Sequence, residues 1–198
     1  MTLAQEASPQ TRRGRTTAVL KTERLTLRAP HYEDVSAIAR LAGDRRVAEN
    51  TARLAHPYGS DDAKQFVKSA QPRDGEATFV VIFEDKLIGV CGVELRADGP
   101  EVGYWLGLPY WRQGFATEAV RAVIDHAFDE LDHAALQAGA RVSNPASRRV
   151  LEKCGFQWTS VRLCRIRAIN SAAPIDRFRL DRGLWASLKS WGRTRRLA

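Results

Sequence analysis

The sequence predicts an α+β fold in a single domain, and three observations carry that reading. Stretches of strand character alternate with stretches of helical periodicity along the 198 residues, without an internal repeat. Two strand stretches, 77–83 (ATFVVIF) and 87–95 (LIGVCGVEL), flank the polar turn Glu84-Asp85-Lys86 and predict an antiparallel hairpin. A third, starting at Glu101, passes through a short loop into a helix with one apolar side built to pack on a sheet. A composition of 44% hydrophobic and 27% charged residues suits one core of useful size.

Taken in order, residues 1–20 read as a mobile basic tail, since Ser, Pro, Gln, Thr and Arg offer little to bury. The domain is expected over 21–191, with 192–198 as a basic C-terminal tail. Leu25 and Leu27 alternate with polar neighbours through 22–28, as a half-buried strand does, and Pro30 ends it. Val35, Ile38, Leu41 and Ala42 have helical spacing from Tyr32 onward, with Glu33 and Asp34 in the favourable first turn. A shorter helix is expected around Arg45 to Ala52, and Ser60 is placed to cap another from Asp61 to Ala70. After the hairpin, Ala97-Asp98-Gly99-Pro100 turns the chain into the strand at Glu101.

The central helix starts just after Gly114. Val120, Val123, Ile124, Ala127 and Phe128 recur at steps of three and four, while Glu118, Arg121, Asp125 and Asp129 take the other side. Leu136, Ala138, Ala140 and Val142 alternate along the next strand. Asn144 then caps a short helix with Pro145 at its first position, and Gly155 ends it. Strands near 157–167 and 175–180 and a helix from Arg182 to Trp191 complete the chain.

The formal net charge of +8 is concentrated in part at the two ends, with Arg12, Arg13 and Arg15 at one and Arg193, Arg195 and Arg196 at the other. Such ends read first as solvated tails that aid solubility; contact with ribosomal RNA or an acidic partner is the alternative. Cys91, Cys154 and Cys164 form no Cys-x-x-C pair, which argues for a reducing compartment. With no apolar run suited to a signal peptide or a membrane span, a cytoplasmic location is expected. The histidines at 31, 56, 126 and 133 lack metal-ligand spacing, so no metal is expected.

The loop before the central helix is where chemistry is expected. The first N–H groups of a helix lack intrahelical partners and carry partial positive charge, so they attract anions. Gly114 allows a tight turn and a close backbone approach, Ala116 keeps the wall low, and Arg112 adds a full charge at the lip. The loop suits a diphosphate. It lacks the Lys-Ser/Thr ending of a nucleotide P-loop, and the glycines at 103, 107 and 114 lack dinucleotide-fold spacing.

The blocks Glu-Val-Gly-Tyr-Trp-Leu at 101–106 and Pro-Tyr-Trp-Arg-Gln-Gly-Phe-Ala-Thr-Glu-Ala at 109–119 resemble the acetyl-CoA site of the GNAT N-acetyltransferases, specifically the ribosomal-protein alanine/serine N-acetyltransferase branch. Asn-Pro-Ala-Ser at 144–147 and Val-Leu-Glu-Lys-Cys-Gly-Phe at 150–156 are similar to that branch's downstream motif, and with weaker echoes at 22–28 and 178–185 the resemblance spans about residues 21–191. It implies the GNAT acyl-CoA N-acyltransferase fold, a mixed and mostly antiparallel sheet of about seven strands flanked by helices in three layers. It also implies an acetyl-CoA-dependent enzyme that moves an acetyl group directly to a primary amine, with a protein N-terminal α-amine as acceptor. A small-amine or antibiotic acetyltransferase, and a non-catalytic module binding acetyl-CoA or RNA, stay open beside it. Monomer and homodimer both remain compatible.

Carried over residue by residue, the resemblance places the pantetheine arm of acetyl-CoA along the backbone of Tyr104, Trp105, Leu106 and Leu108, with an N–H of Trp105 or Leu106 facing the thioester carbonyl. The pyrophosphate is expected on the N–H groups of Arg112, Gln113, Gly114, Phe115, Ala116 and Thr117, and Asn144 against the pantetheine. Glu101 is the expected general base, acting directly or through water; the alternative is a glutamate that only pairs with a surface Lys or Arg. Ser147 matches the position whose hydroxyl approaches the coenzyme sulfur and helps protonate the thiolate. Many GNAT enzymes use a tyrosine four residues further on for that step. This chain has Leu151 there, which excludes that version.

Overall fold

In the computed structural model, which describes residues 18–71 and 73–194 (the last three as backbone only), the expected hairpin is closed by the two residues Glu84 and Asp85, with φ of 46° and 60°. Left-handed backbone at both positions matches the twist of the strands it joins. Those strands are β3 (Ala77–Phe83) and β4 (Lys86–Arg96) of a sheet completed by β1 (Leu20–Lys21), β2 (Thr26–Arg28), β5 (Gly99–Leu106), β6 (Ala135–Arg141), β7 (Gln157–Ile166) and β8 (Ser171–Asp181). The order is β1-β2-β3-β4-β5-β6-β8-β7, antiparallel throughout except for the parallel pair β5–β6.

Among the described residues the sheet has eight strands rather than about seven. The additional one is β1, which precedes the expected strand 22–28; of that stretch only Thr26–Arg28 is strand, and 22–25 form a turn. Thr22 N–H donates to Leu25 O at 2.9 Å, and Thr22 Oγ1 accepts from Leu25 N–H at 2.9 Å. That turn lays Leu20 opposite Leu27, and Ala18 and Leu20 already pack on the core. The basic residues of 1–17 and 195–198 lie outside the described residues.

Six helices flank the sheet: α1 (Val35–Ala42, entered through one 3-10 turn at Tyr32–Asp34), α2 (Arg45–Glu49), α3 (Ser60–Ser69), α4 (Phe115–Asp129), α5 (Pro145–Lys153) and α6 (Arg182–Thr194). The start of α3 differs from expectation. Gly59 holds the cap position and Ser60 is the first helical residue, and Asp62 reaches back to accept the Gly59 N–H at 2.9 Å. On one face of the sheet Val102, Leu106, Leu136, Ala138, Phe178 and Leu180 pack against the apolar stripe of α4 and against Leu151 of α5. On the other, Val80, Leu87 and Val90 pack against α1 and α3. The result is three layers. No described helix is long and apolar enough to cross a membrane.

The turn between β1 and β2 is tied to α4 through Glu118. Its carboxylate accepts from Thr22 Oγ1 at 2.6 Å, from the Arg24 N–H and Nε at 2.8 Å each, and pairs with Arg24 Nη2 at 2.7 Å. Burial pushes the Glu118 carboxyl upward, but these hydrogen bonds and the Arg24 charge outweigh it, so the group is held below its usual range. A carboxylate lowered in this way adds stability above its unfolded pKa, near 4.3, and loses it as pH falls through the folded value. Glu118→Gln is therefore expected to cost about 1–2 kcal/mol near pH 7. In urea titrations the gap to the native protein should close below about pH 4. A gap that persists there would assign the loss to packing instead of charge.

Candidate active site

The sheet opens at its one parallel junction. β5 and β6 pair only at Glu101↔Gln137 and Val102↔Ala138, although β5 runs on to Leu106 and β6 to Arg141. Which backbone groups line the gap follows from the β4–β5 ladder. Gly107 N–H donates across to Ile88 O at 2.8 Å, and in an antiparallel pair alternate residues point to the same partner. Trp105 therefore turns its amide to β4, and Tyr104 and Leu106 turn theirs to the gap. The Leu106 carbonyl is already engaged by the Trp111 indole N–H at 2.7 Å, which leaves the Leu106 N–H as the donor there. Of the two expected carbonyl-facing amides, Leu106 has the orientation and Trp105 does not. The Trp105 side chain packs instead in the layer of α1 and α3.

At the end of β5 the chain makes a 3-10 turn over Leu108–Tyr110 and then two left-handed steps, Arg112 at φ 61° and Gly114 at φ 84°. The second starts α4, whose first ladder bond is Glu118 N–H to Gly114 O at 3.1 Å. The N–H groups of Phe115, Ala116 and Thr117 thus belong to the first turn, without intrahelical acceptors. Arg112 and Gln113 are exposed at the lip, and Gln113 Nε2 donates back to Pro109 O at 2.8 Å. The loop has a second support that sequence reasoning did not assign. Arg24 donates Nη1 to Gln113 O at 3.1 Å and lies 4.5 Å from the centre of the Phe115 ring while bound to Glu118. Its position in the first weak motif was visible, but its destination 89 residues away was not.

The far wall of the gap is the start of α5. Asn144 caps it as expected, its Oδ1 accepting the Ser147 N–H at 3.1 Å. The Ser147 hydroxyl lies 2.8 Å from Tyr104 Oη, so β5 and α5 are joined across the opening by two hydroxyls. Leu151 is fully buried in the core. Burial pushes the Cys154 thiol up to about 11, which leaves it protonated and structural.

Glu101 stands on the opposite face of the sheet. Its carboxylate accepts from Arg177 Nη2 at 2.7 Å and from Arg53 Nη2 at 3.2 Å. Arg177 reaches it from β8 by crossing β6 at Gly139, where an added Cβ would sit 3.1 Å from the guanidinium. Glu94 lies directly opposite Glu101 across the β4–β5 ladder, and Arg53 bridges the two carboxylates, meeting Glu94 at 2.6 Å. Two like charges so placed repel, and the shared guanidinium offsets that repulsion. Glu101 therefore makes ion pairs and also stands where the gap begins. Arg53 and Arg177, neither singled out in the sequence, are its immediate neighbours. Among the described residues no group of three or more His, Cys, Asp or Glu is placed to hold a metal.

An interrupted parallel pair, a helix start with N–H groups that lack intrahelical acceptors beside it and a capped helix opposite thus surround one opening in the sheet. The family model of the acetyltransferase (GNAT) domain matches residues 24–157, from the Arg24 turn to the start of β7. The chain belongs to the GNAT family. As a GNAT acetyltransferase it is an acetyl-CoA-dependent acyltransferase acting on an amine. It is 30% identical to the N-acetyltransferase p20 of Bacillus licheniformis over 145 residues, which cover 70% of this chain and 82% of that protein. Over 81 residues, 39% of this chain and 45% of the other, it is 33% identical to the ribosomal-protein-serine acetyltransferase of Escherichia coli. Among solved structures it resembles the spermidine N-acetyltransferase of Vibrio cholerae in complex with CoA and spermine. The TM-score is 0.70 at 20% identity, covering 83% of this chain and 99% of that one. This last likeness concerns the fold.

Proposed function

We propose that this acetyltransferase carries the acetyl group of acetyl-CoA directly to the α-amine at a protein N-terminus, with the two substrates entering the β5–β6 gap from opposite faces of the sheet. One observation carries the reading: the gap has the α4 helix start, Asn144 and Ser147 on one face and Glu101 on the other. On the first face the amides of residues 112–117 receive the diphosphate. Leu106 N–H faces the thioester oxygen and meets the charge that develops on it, and Ser147 directs its hydroxyl at the sulfur. From the second face the amine nitrogen bonds to the carbonyl carbon while the carbon–sulfur bond breaks with its electron pair on sulfur. Glu101, directly or through water, takes the proton that nitrogen sheds. Its two guanidinium partners leave further lone pairs on the carboxylate for that contact.

The α-amine is favoured on two grounds. Its reference pKa is near 8, so an appreciable fraction is the neutral nucleophile at neutral pH, whereas a lysine amine near 10.4 is almost wholly charged. A relative 33% identical over 81 residues is named for ribosomal-protein serine acetylation, which supports a protein acceptor. Mass spectrometry tests this on a pool of peptides with Ala, Ser, Met or Thr at the N-terminus, a lysine peptide with a blocked N-terminus, polyamines and aminoglycosides. A gain of one acetyl group is expected on free N-termini alone, with kcat/KM rising to a plateau above about pH 8. Acetylation confined to the polyamines or aminoglycosides would replace the acceptor and leave the enzyme class standing.

A further inference from the structure

The reading above uses the backbone of Tyr104 and leaves its side chain without a task. That side chain points to the α4–α5 face of the sheet, beyond the last β5–β6 pair, and its hydroxyl ends at the first turn of α5. There it lies 2.8 Å from Ser147 Oγ and 3.2 Å from the Ser147 carbonyl oxygen. Asn144 fixes the same residue from the other side by accepting its N–H at 3.1 Å. Ser147 is thus met at its N–H by Asn144 and at its two oxygens by the phenol, whose single proton serves one of them at a time. The position four residues further on, where a tyrosine would otherwise act, is the fully buried Leu151 and offers no proton.

We propose that Tyr104 is the positioning residue for Ser147: the phenol donates to Ser147 Oγ, occupies one of its lone pairs, and so leaves the serine O–H free to point into the gap at the departing sulfur. The inference rests on the proposed role of Ser147. Its direction follows from chemistry. In a pair of hydroxyls either oxygen is able to donate, and the phenol's single proton is assigned to the shorter of its two contacts, Ser147 Oγ at 2.8 Å against the carbonyl oxygen at 3.2 Å. Burial of the phenol pushes its ionisation well above the usual range, so Tyr104 keeps its proton and acts as donor throughout the cycle. A chain of hydroxyls aligned in one sense polarises along its length, so the serine O–H becomes a better donor to a developing thiolate. As the carbon–sulfur bond breaks, the sulfur accepts that O–H as a hydrogen bond. Glu101 releases the amine's proton to water, water supplies the proton that the sulfur finally takes up, and neither hydroxyl ends the cycle ionised.

The test is a double-mutant cycle in the full chain, read as kcat and KM with acetyl-CoA. Tyr104→Phe is expected to lower kcat about 10-fold, the equivalent of one hydrogen bond, with KM for acetyl-CoA within about twofold. Ser147→Ala should lower kcat further, and the double variant should be no slower than Ser147→Ala alone, because the phenol acts only through the serine. Losses that multiply would show that Tyr104 merely braces β5 against α5, and would overturn the inference. So would a Tyr104→Phe enzyme with native kcat beside a slow Ser147→Ala enzyme. If Ser147→Ala itself turns over at the native rate, the assignment of Ser147 fails first. Incorporation of 3-fluorotyrosine at position 104 guards against a folding defect in the phenylalanine variant. It keeps the ring and the hydroxyl and should keep kcat within about threefold, and a loss as large as phenylalanine's would equally reject the relay.

Discussion

Alanine at Ser147 is expected to lower kcat by about 10²-fold, the low end of what one hydrogen-bond donor to developing charge contributes, while KM for acetyl-CoA stays within about threefold. The separation of the two constants follows from how the residue is built into α5. Its contribution to the helix start is its N–H, which Asn144 accepts, and alanine supplies the same N–H. The hydroxyl takes no part in capping; its neighbour is the Tyr104 phenol. Alanine also has the higher helix propensity, so thermal unfolding should move by only a degree or two. A side chain that meets the sulfur only as charge develops there affects the transition state and not the ground-state complex. Steady-state kinetics at saturating acceptor, with calorimetric binding of CoA as the control, measures both. A rise in KM with unchanged kcat would place Ser147 among the groups that merely hold the coenzyme.

The parts of this site that were legible beforehand are the local ones. The left-handed turn at Gly114, the Asn144 cap with Pro145 behind it and the hairpin at Glu84-Asp85 are each decided within a few residues by sterics or by one side chain, and each stands where the sequence puts it. Leu25 and Leu27 satisfied the strand pattern equally well whether or not a turn interrupted it. The hydrogen bonds of Thr22 decided that, and alternation carries no trace of them. The start of α3 moved by one residue because Gly59 takes the cap position, where Asp62 accepts its N–H. The long-range partners were out of reach for a different reason. Arg53 and Arg177 come to Glu101 from 48 and 76 residues away, and an arginine on a loop or a strand reads as a solvated charge until its neighbours are known. Tyr104 was singled out for its backbone, and its hydroxyl acquired a role only when α5 was laid beside β5.

The largest effect on coenzyme recognition is expected from Gly114→Val, with KM for acetyl-CoA rising about 10²-fold and kcat at saturation within about threefold. Gly114 sits at φ 84° and ψ −9°, where an L side chain costs about 1–3 kcal/mol and a β-branched one more. A Cβ there also lies 3.3 Å from Arg24 Nη2, and the two methyls of valine would press on the guanidinium that holds Gln113 O. The loop is therefore expected to leave the left-handed region, turning the amides of residues 112–117 away from a common point. Two lost charge-assisted hydrogen bonds of about 1.5 kcal/mol each account for the factor of about 10². Tyr104, Ser147 and Glu101 lie on β5 and α5, outside the turn, so chemistry on bound substrate should survive. Acetyl-pantetheine, which has the thioester arm but no diphosphate, separates the causes. In the native enzyme kcat/KM should favour acetyl-CoA over it by a wide margin, and in Gly114→Val that margin should shrink about 100-fold through loss of acetyl-CoA alone. An equal fall for both donors would mean that the turn supports the fold of β5 and α4, with the diphosphate held elsewhere.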